Sequence, residues 1–297
     1  MKYACQEKLI AGATDDERVA RAREMGFDGI EINARVETPL KGREASLKAA
    51  LARHGCAAAA VCGGYRGWLG HFDSDARALA VRDIISLLPV LVELGAPGIV
   101  VPAAYGMFSR KLPPFQPPRG EVEDRAALLD SLERVANEAV KRGVRIYLEP
   151  LNRYEDHMIN TLAQACDLAA ASASGSVLPM IDLFHANVEE REISEAILRA
   201  PAVPAHVHLA DSNRLEPGRG HISYAPIFAA LRARGFSGWC SFECSLSGSD
   251  PSVLPDSLAL MRRREREEPP HPAARARAAP ASRSDAGPPK SRTSGAR

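Results

Sequence analysis

Four segments of the chain each end an apolar run on a metal-capable side chain: RIYLE on Glu149, LPMID on Asp182, PAHVH on His208 and WCSFE on Glu243. Successive members are 33, 26 and 35 residues apart, each about one strand, loop and helix. A charged or imidazole group at the end of a buried strand costs free energy unless it is used or paired. Four consecutive βα units would therefore deliver one ligand each to a common rim. That is the arrangement expected at the C-terminal mouth of a (β/α)8 barrel.

The order of elements along the chain agrees. Short strands are expected at Lys2–Cys5, Phe27–Ile32, Cys56–Cys62 and Gly98–Pro102, ahead of the four that carry the ligands. Between them the periodicity predicts helices near 15–25, with Thr14 as its cap, 43–54, 75–94, 121–142, 161–173, 189–199, 224–234 and 251–266. In the helix near 75–94, Ile84, Leu87, Leu88, Leu91 and Val92 form one apolar face. The connections are too long for hairpins, so the strands should pair in parallel and close. The expected fold is thus α/β, a single TIM barrel over residues 1–266, which a chain of 297 residues accommodates as one domain.

From position 267 the composition shifts to proline, alanine, arginine and serine with almost no large apolar side chain. Residues 267–297 are expected to be a disordered tail, because they cannot bury enough surface to offset ordering. From Arg262 onward there are ten Lys or Arg against four Asp or Glu, compatible with a solvated tail, weak binding to an anionic surface, or a frame-shifted end.

A net charge of +1 gives no global pull toward nucleic acid or membrane. The amino terminus lacks the pattern of a secretory signal and no stretch approaches a membrane span, so a cytoplasmic location is expected. The six cysteines form no CxxC pair and should be reduced thiols.

Alternation along the last strands sorts their residues. Trp239, Ser241 and Glu243 share one face, as do His206 and His208, and these faces should line the barrel axis. Alone, each ligand candidate would more often be a salt-bridged or core residue. Four at successive strand ends reverse that balance. Two Glu, one Asp and one His favour Mn2+, with Mg2+ or Co2+ next, over structural Zn2+. His185 and Arg214 lie just beyond two of the ligands, where donors could orient the hydroxyls of a polyol. Glu155 either binds a hydroxyl or pairs with Arg153. Arg219 and His221 are open between the site and the surface. Glu31 and His206 belong to the barrel interior or stand behind the ligands, while Cys62, Trp68 and Tyr105 line the pocket or pack in the core.

In LEPLNRYE, MIDLFHANVEE, HVHLADSNRLEPGRGHISYAPIFAAL and GFSGWCSFE the chain resembles the sugar phosphate isomerase and epimerase superfamily with the xylose-isomerase-like barrel. Within it, the chain resembles the ketose 3-epimerases of the D-tagatose and D-psicose type. The resemblance implies that Glu149, Asp182, His208 and Glu243 bind a divalent metal, with Glu149 and Glu243 as the proton-transfer pair. It implies that Glu155, His185 and Arg214 hold the substrate. The expected reaction is epimerisation of a free ketose at its third carbon through an enediolate, without a redox cofactor. The same site could serve a hydroxypyruvate isomerase or an inosose dehydratase. An AP endonuclease would need further histidines where Cys62 and Pro102 stand, and a non-catalytic binding protein would have lost a ligand. The expected partner is a small sugar or hydroxy-keto compound; a homo-oligomer is allowed by the sequence but not read from it.

Overall fold

In the computed structural model, which describes residues 1–34, 39–109, 112–113, 116–250 and 252–267, the apolar runs pair as one continuous parallel sheet. Its strands are β1 (Lys2–Gln6), β2 (Gly29–Ala34), β3 (Ala57–Gly63), β4 (Gly98–Pro102), β5 (Arg145–Glu149), β6 (Val177–Pro179), β7 (Ile181–Asp182), β8 (His206–Leu209) and β9 (Trp239–Phe242). The sixth stave is split at Met180: β6 pairs with β5, and β7 pairs with β8. Pairing of β9 with β1 completes the circuit, so the nine strands form the eight staves of a TIM barrel.

Helices α1 (Asp15–Glu24), α2 (Glu44–His54), α3 (Ser74–Leu94), α4 (Glu121–Val140), α5 (Leu162–Ala171), α6 (Leu183–Glu189), α7 (Ile193–Arg199), α8 (Tyr224–Ala233) and α9 (Val253–Arg266) are interleaved with the strands. Thr14 caps α1 by accepting from the Glu17 amide, and Thr161 with Gln164 closes a capping box on α5. Burial of Ile84, Leu87, Leu88 and Leu91 seats α3, each contributing about 1.5–3 kcal/mol. Val92, expected on that face, instead stands 50% exposed near the helix end.

The barrel interior explains the alanine-rich third strand. Trp239 packs there with Ala4 and Ala59, and Tyr147 with Ala60, Val100 and Met180. A Cβ on Gly29 would lie 2.7 Å from the Trp239 ring, and one on Gly98 would lie 2.7 Å from Tyr147. Small residues on β2, β3 and β4 thus leave room for two large rings at the base of the barrel. The outward residues Phe27 and Phe242 meet edge to face at 5.3 Å beneath the helices.

Two expectations need correction. The helix expected at 189–199 starts at Ile193, since Glu190 is extended (ψ 137) and its carboxylate accepts from the Leu162 amide. A separate short helix, α6, occupies the loop after Asp182 and carries His185. The tail expected to be disordered lies, from 268 on, outside the described residues, as does Pro251. All six cysteines are free, and no helix among the described residues is long and apolar enough to cross a membrane.

Candidate active site

Parallel strands in register bring their C-terminal ends to one rim, and the four predicted ligands meet there. Ligand atoms of Glu149, Asp182, His208 and Glu243 all lie within 4.8 Å of one another. Glu149, Asp182 and His208 are buried, and Glu243 is nearly so. The His208 Nδ1 lies 3.0 Å from Glu149 Oε1, 2.8 Å from Glu243 Oε2 and 3.7 Å from Asp182 Oδ2. Three carboxylates converging on one ring nitrogen, away from bulk water, call for a positive charge between them. The donor set fits a divalent cation preferring oxygen ligands with one imidazole.

Each candidate ligand is held by its local fold. Asp182 is the N-cap of α6: its Oδ1 accepts from the amides of Phe184 (2.7 Å) and His185 (3.1 Å), which aims Oδ2 at the site. Glu243 follows β9, its amide donating to Leu209 O, and its Oε1 accepts from Gln6 Nε2 at 2.9 Å. His208 Nε2 lies 3.1 Å from Glu31 Oε1, on the side away from the cluster.

Electrostatics separate the two glutamates. Burial pushes the Glu149 carboxyl up, against the hydrogen bond and charge of His208. Burial would raise Glu243 as well, but the charge and hydrogen bond of His208, with Arg214 and Lys8, hold it well below the usual carboxylate range. His208 is driven well above the usual imidazole value: burial opposes this, but the charges of Glu31 and Glu243 outweigh it.

Above the cluster opens a cavity of about 450 Å3, lined by all three predicted substrate-binding residues. Arg214, whose backbone is left-handed (φ 62), donates to Asp182 Oδ2 at 2.6 Å and Glu243 Oε2 at 2.9 Å. Its guanidinium lies over Phe184, 4.9 Å from the ring centroid. The His185 Nδ1 receives the Asn152 backbone amide (3.2 Å) and side-chain amide (2.8 Å), so the ring hydrogen sits on Nε2. Glu155 does not pair with Arg153: it accepts from Asn152 Nδ2 at 2.8 Å, and Arg153 pairs with Glu189. Cys62, Trp68 and Tyr105 line the opposite wall, where Tyr65, Trp68 and Tyr105 stack edge to face at 5.7 Å. Arg219 and His221 stay outside the cavity, bound to Glu216 and Ser212.

Lys8, Gln6 and Asn152 were missed in the sequence. Gln6 ends β1 as Glu149 ends β5, so the strand-end pattern could have found it. Lys8, 3.9 Å from Glu243, lies in a three-residue 3-10 helix (Glu7–Leu9) and Asn152 in a loop, both too short to give a periodic signal.

Comparison with known proteins agrees with this architecture. Residues 19–264 match the family model of the xylose isomerase-like TIM barrel. The chain is 38% identical over 263 residues to the 3-dehydro-D-guloside 4-epimerase of Escherichia coli K12, covering 88% of this chain and 99% of that protein. It is 30% identical over 269 residues to the ketose 3-epimerase of Arthrobacter globiformis, covering 88% of each. The crystal structure of 3-keto-D-glucoside 4-epimerase from E. coli superposes with a TM-score of 0.84 at 38% identity, over 89% of this chain and 99% of that one. With matches this long, the chain belongs to the xylose isomerase-like TIM barrel family and is an enzyme of the isomerase class.

Proposed function

We propose that this protein inverts a stereocentre next to the ketone of a keto sugar. The observation that carries the reading is the convergence of Glu149, Asp182, His208 and Glu243 beside a cavity lined by Glu155, His185 and Arg214. These four residues would hold a divalent cation, Mn2+ first among the candidates. Bound there, the cation would polarise the ketone and spread the negative charge that grows on the substrate oxygens.

The proton work falls to the two glutamates, which reach the site from the fifth and eighth staves. One takes the proton from the carbon beside the ketone, leaving an enediolate, and the other returns a proton to the opposite face. Which acts first depends on the configuration of the substrate. Arg214, His185 through Nε2–H, and Glu155 orient the hydroxyls, so that the reacting carbon stays between the glutamates. The Tyr65, Trp68 and Tyr105 wall covers the apolar face of the ring.

The near full-length likeness to the guloside 4-epimerase favours a 3-keto hexoside inverted at its fourth carbon. A second reading, a free ketose inverted at its third carbon, draws on the likeness to the Arthrobacter ketose 3-epimerase. Both use one chemical step at different ring positions. Incubating the Mn2+-loaded protein with a methyl 3-keto-hexopyranoside and, separately, with D-fructose, D-tagatose and D-psicose, followed by NMR, decides between them. The first reading expects turnover of the glycoside at a kcat/KM at least tenfold that of any free ketose. The reverse preference favours the second, and inversion of neither class would end both.

A further inference from the structure

Beneath the four rim donors, Glu31 is completely buried at the centre of a polar network inside the barrel. Its Oε1 accepts from Gln6 Nε2 at 2.7 Å and lies 3.1 Å from His208 Nε2. Its Oε2 lies 2.7 Å from His206 Nε2 and 3.2 Å from His208 Nε2. His206 is fixed in turn, stacked on Tyr147 at 5.2 Å with the rings 9° from parallel. An ionised carboxylate offers only acceptors, so each nitrogen facing Glu31 must carry a hydrogen. The His208 Nε2 therefore carries a hydrogen, and Nδ1 is the ring nitrogen presented to the rim carboxylates.

The second arm runs through Gln6. The same Nε2 that donates to Glu31 also lies 2.9 Å from Glu243 Oε1. One inaccessible carboxylate therefore sets the orientation of two of the four rim donors, His208 directly and Glu243 through an amide. No substrate could reach it, since the barrel wall and His208 enclose it.

We propose that Glu31 is the positioning residue of the cation site, selecting the ring nitrogen of His208 that faces the ion and, with Gln6, holding Glu243 in place. The inference rests on the cation site proposed above. A carboxylate behind a ligating histidine fixes its tautomer and makes it a better donor, and loss of such a partner weakens metal binding about 10- to 100-fold. Glu31, His206 and His208 also lie close enough to hold an ion of their own. That rival makes Glu31 a ligand, and it requires a second ion per chain.

The test compares wild type, Glu31→Gln and Glu31→Asp in metal-free form by circular dichroism, then titrates each with Mn2+ calorimetrically and with Co2+ by visible absorption. Expected are one Mn2+ per wild-type chain, a Kd weaker by about 10- to 100-fold in Glu31→Gln, and a shifted Co2+ spectrum. Should Glu31→Gln not fold, Glu31→Asp decides: it keeps the charge but draws it back by one methylene, and the same weakening and spectral shift are expected. An unchanged Kd or an unchanged spectrum in the folded variant would overturn the positioning role. Two ions per wild-type chain would also overturn it, by making Glu31 a ligand. No Mn2+ binding by wild type would remove the cation site itself, and this inference with it.

Discussion

Arg214 and Asp182 are joined by a 2.6 Å charge-assisted hydrogen bond, and the same guanidinium reaches Glu243 at 2.9 Å. Its planar fork fits two carboxylates at once, which an ammonium cannot reproduce. Arg214→Lys keeps the charge and adds no side-chain penalty at the left-handed backbone. The variant should fold normally and lose about 10- to 100-fold in kcat/KM, the equivalent of one charge-assisted hydrogen bond. Steady-state kinetics beside circular dichroism check this; a loss under threefold would show that charge alone suffices.

Asn152 serves two cavity-lining groups, donating to Glu155 Oε1 and to His185 Nδ1, each at 2.8 Å. Asn152→Ala should let both side chains wander without touching the rim donors. The expected outcome is a KM raised about tenfold, from two lost hydrogen bonds, with kcat within about threefold of wild type. A collapse of kcat at constant KM would place Asn152 in the chemical step instead.

Away from the site, Asp15 ties α1 to the start of α2 through Arg43 (2.5 Å) and Ser46 (2.5 Å), and bonds Arg18 (2.7 Å) within α1. Burial would raise its carboxyl, yet hydrogen bonds from Arg43, Ser46 and Arg18 lower it below the usual value. A carboxyl depressed in the folded state gives stability that is fully present above its unfolded pKa of about 3.9 and is lost as pH falls through the folded value. Asp15→Asn should cost about 1 kcal/mol at pH 7, after allowance for solvent screening. Urea unfolding at pH 7 and pH 3 should show the gap between variant and wild type narrowing in acid; a gap that widens contradicts this.

The parts of the fold legible in the sequence are those governed by repetition. Glu149, Asp182, His208 and Glu243 end apolar runs at βα spacing, so their convergence follows from parallel strands sharing one rim. Alternation places His206 in the interior for the same reason. Irregular backbone carried no such signal. The break at Glu190 depends on its contact with Leu162, and the split at Met180 on which neighbour each half of the stave pairs with. Sequence alone leaves Glu155 between a hydroxyl contact and a pair with Arg153; the turn sends Arg153 to Glu189 on α6 and leaves Glu155 on the cavity wall. Gln6 was passed over because an amide lacks the charge that marks the other strand ends.

The central claim is two-sided proton transfer between Glu149 and Glu243. Run the Mn2+-loaded protein in deuterium oxide with its preferred keto sugar, and follow the inverted carbon by NMR and mass spectrometry. The account predicts one solvent-derived deuterium at that carbon, with exchange and inversion both abolished by chelation and reduced at least 1,000-fold, roughly 4 kcal/mol of barrier, in Glu149→Gln and in Glu243→Gln. Inversion without deuterium at that carbon, or exchange that persists in both variants, would contradict it.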